Sequence, residues 1–318
     1  MTVEVARPMK AIRDAFGEAL IELGEENPDV VVLDADVAHS SKTVLFGKRF
    51  PDRFFNIGIA EGNMVCMAAG LSAAGKIPYA STFSFLITLR AGEQARTSVA
   101  YPKLNVKLCG TYAGLSDSYD GATHQDVMDI AVMRVMPNMT VVVPADAVET
   151  RKAVFGIARY NGPVYLRLSR AEVPTVTDET TPFEVGKANL MREGKDVAII
   201  STGTMLAAAL DAAEELGRDG INAKVINMHT VKPLDEEVVL KAAREIGAIV
   251  TVEEHNVLGG LGGAVAEVLA RKHPARMEMV GIEDTFAESG KYPDLLAKYR
   301  LTAGDVRDKA RRVLGRRA

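Results

Sequence analysis

Along the first half of the chain, residue types suited to proton transfer and anion binding recur where apolar, β-branched runs stop. "DADVAHS" carries Asp36, His39 and Ser40; "NIGIAE" carries Glu61; "STFSF" carries Phe83 and Phe85. "GTYAGLSDSYDGATHQD" follows with Tyr112, Asp120 and His124, and "RLSR" ends in Arg170. Carboxylates and imidazoles move protons, a guanidinium fork holds anionic groups, and aromatic faces stack on planar rings. Any one of these loops alone reads as solvated surface. Convergence of all of them on one sheet edge would build a reaction site.

Glu61 has two readings on residue chemistry alone. It stands where "NIGIA" runs into "GNMVCMAAGLSAA", so its carboxylate could accept from the free amides at that helix start and sit at the positive end of the dipole. The preferred caps, however, are Ser, Thr, Asp and Asn, and the apolar flanks would bury the position. Burial raises a carboxyl pKa toward neutrality, which suits a working acid. Residue chemistry leaves the two readings in balance.

The elements that must hold these residues are short strands alternating with amphipathic helices. Strand candidates are "DVVVLDAD", "KIPYASTF", "LNVKLCGTY", "MTVVVPAD", "PVYLRLS", "DVAIISTG", "NAKVINMHT", "AIVTVEEH" and "RMEMVGI". Helical periodicity marks "MKAIRDAFGEALIEL", "MVCMAAGLSAAG", "TMLAAALDAAEELGRDG" and "LDEEVVLKAARE". Such alternation predicts an α/β fold with mostly parallel, doubly wound sheets, because a parallel crossover needs about a dozen residues and usually a helix. At 318 residues the chain suits two domains of roughly 150 residues each. The Thr-, Pro- and acid-rich stretch from Ala171 to about Glu193 breaks the rhythm. We therefore expect a domain over 1–175, a linker over 176–192 and a second α/β domain over 193–318. Ligands of open parallel sheets bind outside the carboxyl ends of the strands, which is where the residues above fall.

Composition narrows the function classes. Hydrophobic residues make up 47%, charged residues 25%, and the net charge is −4. No basic tract precedes the terminal "RDKARRVLGRR", so nucleic acid is not an expected partner. Cys66 and Cys109 lie in apolar runs without a CxxC partner, which predicts reduced core thiols rather than zinc ligands or a disulfide. No leader-like apolar segment and no stretch of 18 apolar residues occurs, so a cytoplasmic protein without membrane contact is expected. "GGLGGAV" lacks the last glycine of a dinucleotide fingerprint and predicts a tight turn with close helix packing. His229 and His255 end strands but receive no catalytic role.

At this level of detail the residues carry a resemblance. "NIGIAEGNM", "AAGLSAAGKIPYASTF", "AYPKLNVKLCGTYAGL", "DGATHQDVMDIAVMRVMPNMTVVVPAD" and "VYLRLSR" resemble the pyrimidine-binding domain of transketolases. "VINMHTVKPLD", "TVEEHNVLGGLGGAVAEVLA" and "GIEDTFAESGKY" resemble the C-terminal domain that follows it. Nothing resembles the diphosphate-binding domain with its Gly-Asp-Gly and Asn metal motif. The chain is thus similar to the C-terminal subunit of a split transketolase.

The resemblance implies thiamine diphosphate as cofactor, with Mg2+ or Ca2+ bound through a separate diphosphate-binding subunit, and a homodimer within a heterotetramer. It implies transfer of a two-carbon ketol unit from a ketose or ketose phosphate to an aldose. Glu61 matches the glutamate that bonds N1′ of the aminopyrimidine and moves the reading from cap to cofactor partner. Phe83 matches a pocket aromatic; the next family aromatic falls on Leu86, with Phe85 one position earlier. Asp36 matches an aspartate on the cofactor side. Asp120 and His124 match residues that bond donor hydroxyls, and His124 one that assists proton transfer. Ser40 and Arg170 match holders of a terminal phosphate. Tyr112 replaces the family histidine, and "SDSYDG" replaces the usual Gly-Glu before Asp120. Two alternatives carry over: the beta subunit of a 2-oxo acid dehydrogenase decarboxylating component, and a non-catalytic structural or regulatory subunit.

Overall fold

The structure, a computed structural model, describes residues 7–315. The outermost residues of the two expected domains, 1–6 and 316–318, lie outside the described residues. The first strands are β1 (Met9–Ala11), β2 (Val30–Asp34), β3 (Phe54–Asn56), β4 (Ile77–Phe83), β5 (Lys107–Thr111), β6 (Thr140–Val142) and β7 (Val164–Arg167). They continue as β8 (Glu172–Pro174), β9 (Asn189–Arg192), β10 (Val197–Ser201), β11 (Ala223–Asn227), β12 (Thr230–Lys232), β13 (Ala248–Asn256) and β14 (Arg276–Ile282).

Two sheets result. The first runs β12-β6-β7-β5-β4-β2-β3 and the second β14-β13-β10-β11-β9. Within these two sheets pairing is parallel except for β12 against β6 and β9 against β11, each at a sheet edge. The expected α/β architecture of mostly parallel sheets is what the chain forms. Alternate residues of each inner strand enter cores on opposite faces. Val31 and Leu33 pack into one core, Val30 and Val32 into another. In the second sheet Val197 and Ile199 oppose Ala198 and Ile200 in the same way. Burial on both faces explains why these strands read as continuous apolar runs.

Residues 176–192 do more than connect. β9 joins the second sheet antiparallel to β11, and Asp146 accepts from the Val176 and Thr177 amides at 2.7 Å each. Asp146 also caps the helix Ala147–Arg159, accepting from the Glu149 amide at 3.0 Å. β12, which follows the expected linker, crosses back to the first sheet. The two halves are consequently stitched by backbone pairing as well as by side chains.

Candidate functional site

Five loops leave the carboxyl edge of the first sheet, after β7, β5, β4, β2 and β3 in spatial order, and each carries residues singled out from the sequence. Seven of those residues meet. The Phe83 ring lies 4.4 Å from the Tyr112 ring and 6.3 Å from His124. Phe85 packs edge-on to His124 at 5.4 Å. The Arg170 guanidinium sits 5.0 Å from the Tyr112 centroid and 3.6 Å from Asp120 Oδ2. Ser40 joins through its carbonyl, which accepts from Arg13 Nη1 at 3.2 Å.

Arg13 had no sequence signal, since it lies on an amphipathic helix (Ile12–Glu26) that reads as a solvated face. Its Nη1 donates to the Tyr112 hydroxyl, and its guanidinium lies 5.3 Å from the same ring. Tyr112 is therefore flanked by two cations, an arrangement that the negative ring face favours. Its backbone is left-handed, with φ of +63°. Asp36 is left-handed too, at +66°. For non-glycine residues this conformation costs about 1–2 kcal/mol and persists where surrounding contacts over-determine it. At Gly114, with φ of +66°, an added Cβ would lie 2.6 Å from Glu254 Oε1, so the loop after β5 needs glycine there for space as well as for conformation.

Glu61 and Asp36 stand apart from this cluster. Glu61 opens the helix Glu61–Ala73 and is only 2% exposed. Among the described residues no backbone amide donates to its carboxylate; Arg90 Nη1 donates to Oε1 at 2.8 Å. The helix-cap reading is thus without its hydrogen bond. Asp36 is exposed and accepts from Asn56 Nδ2 at 3.0 Å, lining an open groove with His39 and Ser40. Leu86 is buried at the start of a π-helical turn, Leu86–Arg90. Strand alternation does not apply there, because Ser84 and Phe85 are already helical. Phe85 is the aromatic that reaches the cluster.

The polar segment between Tyr112 and His124 holds a second group invisible as such in the sequence. Asp117 is fully buried, and its Oδ1 accepts from Arg170 Nη1 at 2.6 Å. Burial, followed by the nearby Asp120 carboxylate, pushes Asp117 up to about 6. The lid over it comes from the second half: the Gly290 amide donates to the Ser118 carbonyl at 2.8 Å, and Gln125 Nε2 to that of Glu288 at 3.1 Å. Tyr119 of the same segment points to solvent.

The corresponding edge of the second sheet carries Glu253, Glu254 and His255, all buried. Glu253 accepts from the Leu261 and Gly262 amides at 2.7 Å each, so a carboxylate fills the helix start that "GGLGGAV" builds. At Gly262 an added Cβ would lie 2.8 Å from Met279 Sδ, the expected close packing. Glu254 accepts from the Leu115 amide at 2.6 Å, Thr204 at 2.7 Å and Tyr292 at 2.9 Å. His229 stacks on Phe183 at 4.4 Å, and burial lowers it to about 4. Of the two cysteines, Cys109 is a core thiol as expected, but Cys66 is exposed. It lies on the helix whose opposite face carries Met64, Val65 and Ala68 into the core, so both faces of that helix are apolar. Among the described residues no His, Cys, Asp and Glu cluster could hold a metal ion, and no helix is long and apolar enough to cross a membrane.

A polar and aromatic cluster on a parallel sheet edge, followed by a second α/β unit, defines a class that comparison with known proteins identifies. Residues 9–176 match the transketolase pyrimidine binding domain and residues 186–306 the transketolase C-terminal domain. The chain belongs to the transketolase family. It is 45% identical over 98% of both chains to a protein of Methanocaldococcus jannaschii described as a transketolase C-terminal section. It is 42% identical to a 6-deoxy-6-sulfo-D-fructose transketolase subunit of Clostridium sp. (strain MSTE9), covering 96% of this chain and 95% of that one. A solved structure titled as a split gene transketolase, inactive beta4 tetramer, superposes with a TM-score of 0.89 at 51% identity, covering 96% of this chain and 98% of that one.

Proposed function

We propose that this chain is the C-terminal subunit of a split transketolase that works with thiamine diphosphate and a separate diphosphate-binding subunit. The reaction is transfer of a two-carbon ketol unit from a ketose or ketose phosphate to an aldose. One observation carries the reading: a carboxylate closed off from water, Glu61, opens a helix on the same sheet edge as the Phe83, Tyr112 and His124 cluster. Those residue types fit an aminopyrimidine, which needs a carboxylate at a ring nitrogen and an aromatic face. The cofactor supplies, when bound, the nucleophilic carbon that takes up and passes on the two-carbon unit.

The chain's own residues do the rest. Glu61 holds a proton at N1′ of the pyrimidine, with Arg90 fixing Oε1 and Oε2 assigned to the cofactor. Phe83 and Leu86 border the ring, and Asp36 lies on the cofactor side. His124, whose Nδ1 lies 3.0 Å from Thr123 Oγ1, meets a donor hydroxyl through Nε2 and moves its proton. Asp120 bonds a second hydroxyl. Ser40, Tyr112 and Arg170 receive the distal end of the sugar.

Mg2+ or Ca2+ belongs, on this reading, to the partner subunit, and the assembly is a homodimer within a heterotetramer in the cytoplasm. Ile59, Met67, Leu89 and Tyr101 are exposed around the apolar helix Glu61–Ala73, as surface awaiting other chains would be. The relative titled as a tetramer supports assembly of such chains. Mixing this chain with a diphosphate-binding subunit, the cofactor and Mg2+ should give ketol transfer. Pyruvate decarboxylation without ketol transfer would overturn the reading in favour of an oxo acid dehydrogenase.

A further inference from the structure

The guanidinium that faces the distal end of the sugar is already engaged. Arg170 Nη1 donates to Asp117 Oδ1 at 2.6 Å, a short charge-assisted bond, and lies 3.6 Å from Asp120 Oδ2. Asp117 is fully buried, and among the described residues its Oδ2 has no hydrogen-bond partner and Arg170 is the one cation paired with that carboxylate. Arg170 itself remains 33% exposed, its face against Tyr112. Arg13, at the Tyr112 hydroxyl, shares one carboxylate with Lys42, so that together with Asp117 and Asp120 three carboxylates face three cations. Asp14 Oδ1 lies 4.0 Å from Arg13 Nε and 3.1 Å from Lys42 Nζ. The pocket end thus presents guanidinium donors with almost no surplus positive charge.

A phosphate dianion arriving there would either pull Arg170 off Asp117, leaving a buried carboxylate unpaired, or stand beside two carboxylates. A hydroxyl or a singly charged group can accept from Nη2 and Nε, which have no acceptor among the described residues, without either change. We propose that Asp117 is a specificity-determining positioning residue, which by occupying Arg170 makes this site select a sugar with an uncharged or singly charged distal end over a phosphorylated one. The inference rests on the ketol-transfer reading for its substrate and on Asp117 alone for its anion selectivity.

Titration of the full chain with inorganic phosphate, followed by calorimetry, separates the two. Asp117→Asn is expected to bind phosphate about tenfold more tightly than the unaltered chain, because one charged partner of Arg170 is removed. Adding Arg170→Gln should abolish that gain, whereas Arg170→Gln alone should change phosphate affinity by less than about twofold. Phosphate binding that Asp117→Asn leaves unchanged, or a gain that survives Arg170→Gln, overturns the proposal. Asp117→Ser repeats the test if the asparagine variant does not fold. In the assembled enzyme the ratio of kcat/KM for phosphorylated over unphosphorylated ketose should rise about tenfold in Asp117→Asn, through a lower KM for the phosphorylated donor. An unchanged ratio in an active enzyme also overturns it. Absence of ketol transfer in the unaltered assembly would instead remove the functional reading, and the phosphate titration would still decide the role of Asp117.

Discussion

The carboxyl edges of the two sheets are built from the same parts and do different things. In the first sheet the loops after β2, β4, β5 and β7 leave Asp36, Phe83, His124 and Arg170 partly open to solvent. In the second, Glu253, Glu254 and His255 follow one another on β13 and are all buried, their acceptors filled by the amides of Leu115, Leu261 and Gly262 and the hydroxyls of Thr204 and Tyr292. Polar residues at a strand end are a necessary sign of a site in an open parallel sheet, and they are insufficient. What separates the edges is whether the groups are satisfied within the chain. The second edge is a clasp: the Glu254 carboxylate holds the first residues of the Tyr112 loop, and its carbonyl accepts from Arg167 Nη2 of β7 at 2.9 Å.

The contrast can be broken at its strongest point first. Glu61→Gln in the assembled enzyme should lower kcat by about 10²–10⁴, the range for a lost proton-transfer partner, with the thermal midpoint little changed. A kcat close to that of the unaltered enzyme would remove Glu61 from the chemistry and leave both edges structural. Next, Glu254→Leu should destabilise the chain by about 3 kcal/mol in urea titrations, because one buried and two part-buried donors lose their acceptor. If instead that variant unfolded at the same urea concentration and lost only activity, the clasp would be misassigned.

A third test is a pH slope. Glu149 links the halves, accepting from the Ala145 amide and from Asn227 Nδ2 at 2.7 Å each, and burial raises it from 4.5 to about 8. The folded chain therefore keeps a proton there that the unfolded chain releases above its ordinary value. This contribution to stability is fully present below pH 4.5 and is lost as pH rises through about 8. Urea midpoints should fall across that window, and Glu149→Gln should flatten the decline.

The long inner strands were legible because burial on both faces leaves an uninterrupted β-branched run in the sequence, as in "VVVLD" and "VAIIS". The short edge strands were not. β3, β9 and β12 have three or four residues each, and nothing local distinguishes "TVK" from a loop until β6 is beside it. Glu61 was legible as a carboxylate at a joint, but only Arg90, 29 residues away, shows what occupies it. Cys66 misled because an apolar neighbourhood in sequence was taken for burial, while its helix is apolar on both faces.

By itself, the sequence determined the alternation of strand and helix, the edge on which the reactive residue types lie, and the family to which the chain belongs. All of these depend on local periodicity and residue identity. Tertiary structure alone decided which charges are free. Asp117 meets Arg170 across 53 residues and Glu254 meets Leu115 across 139, and Coulomb and hydrogen-bond energies depend on distance in space rather than along the chain.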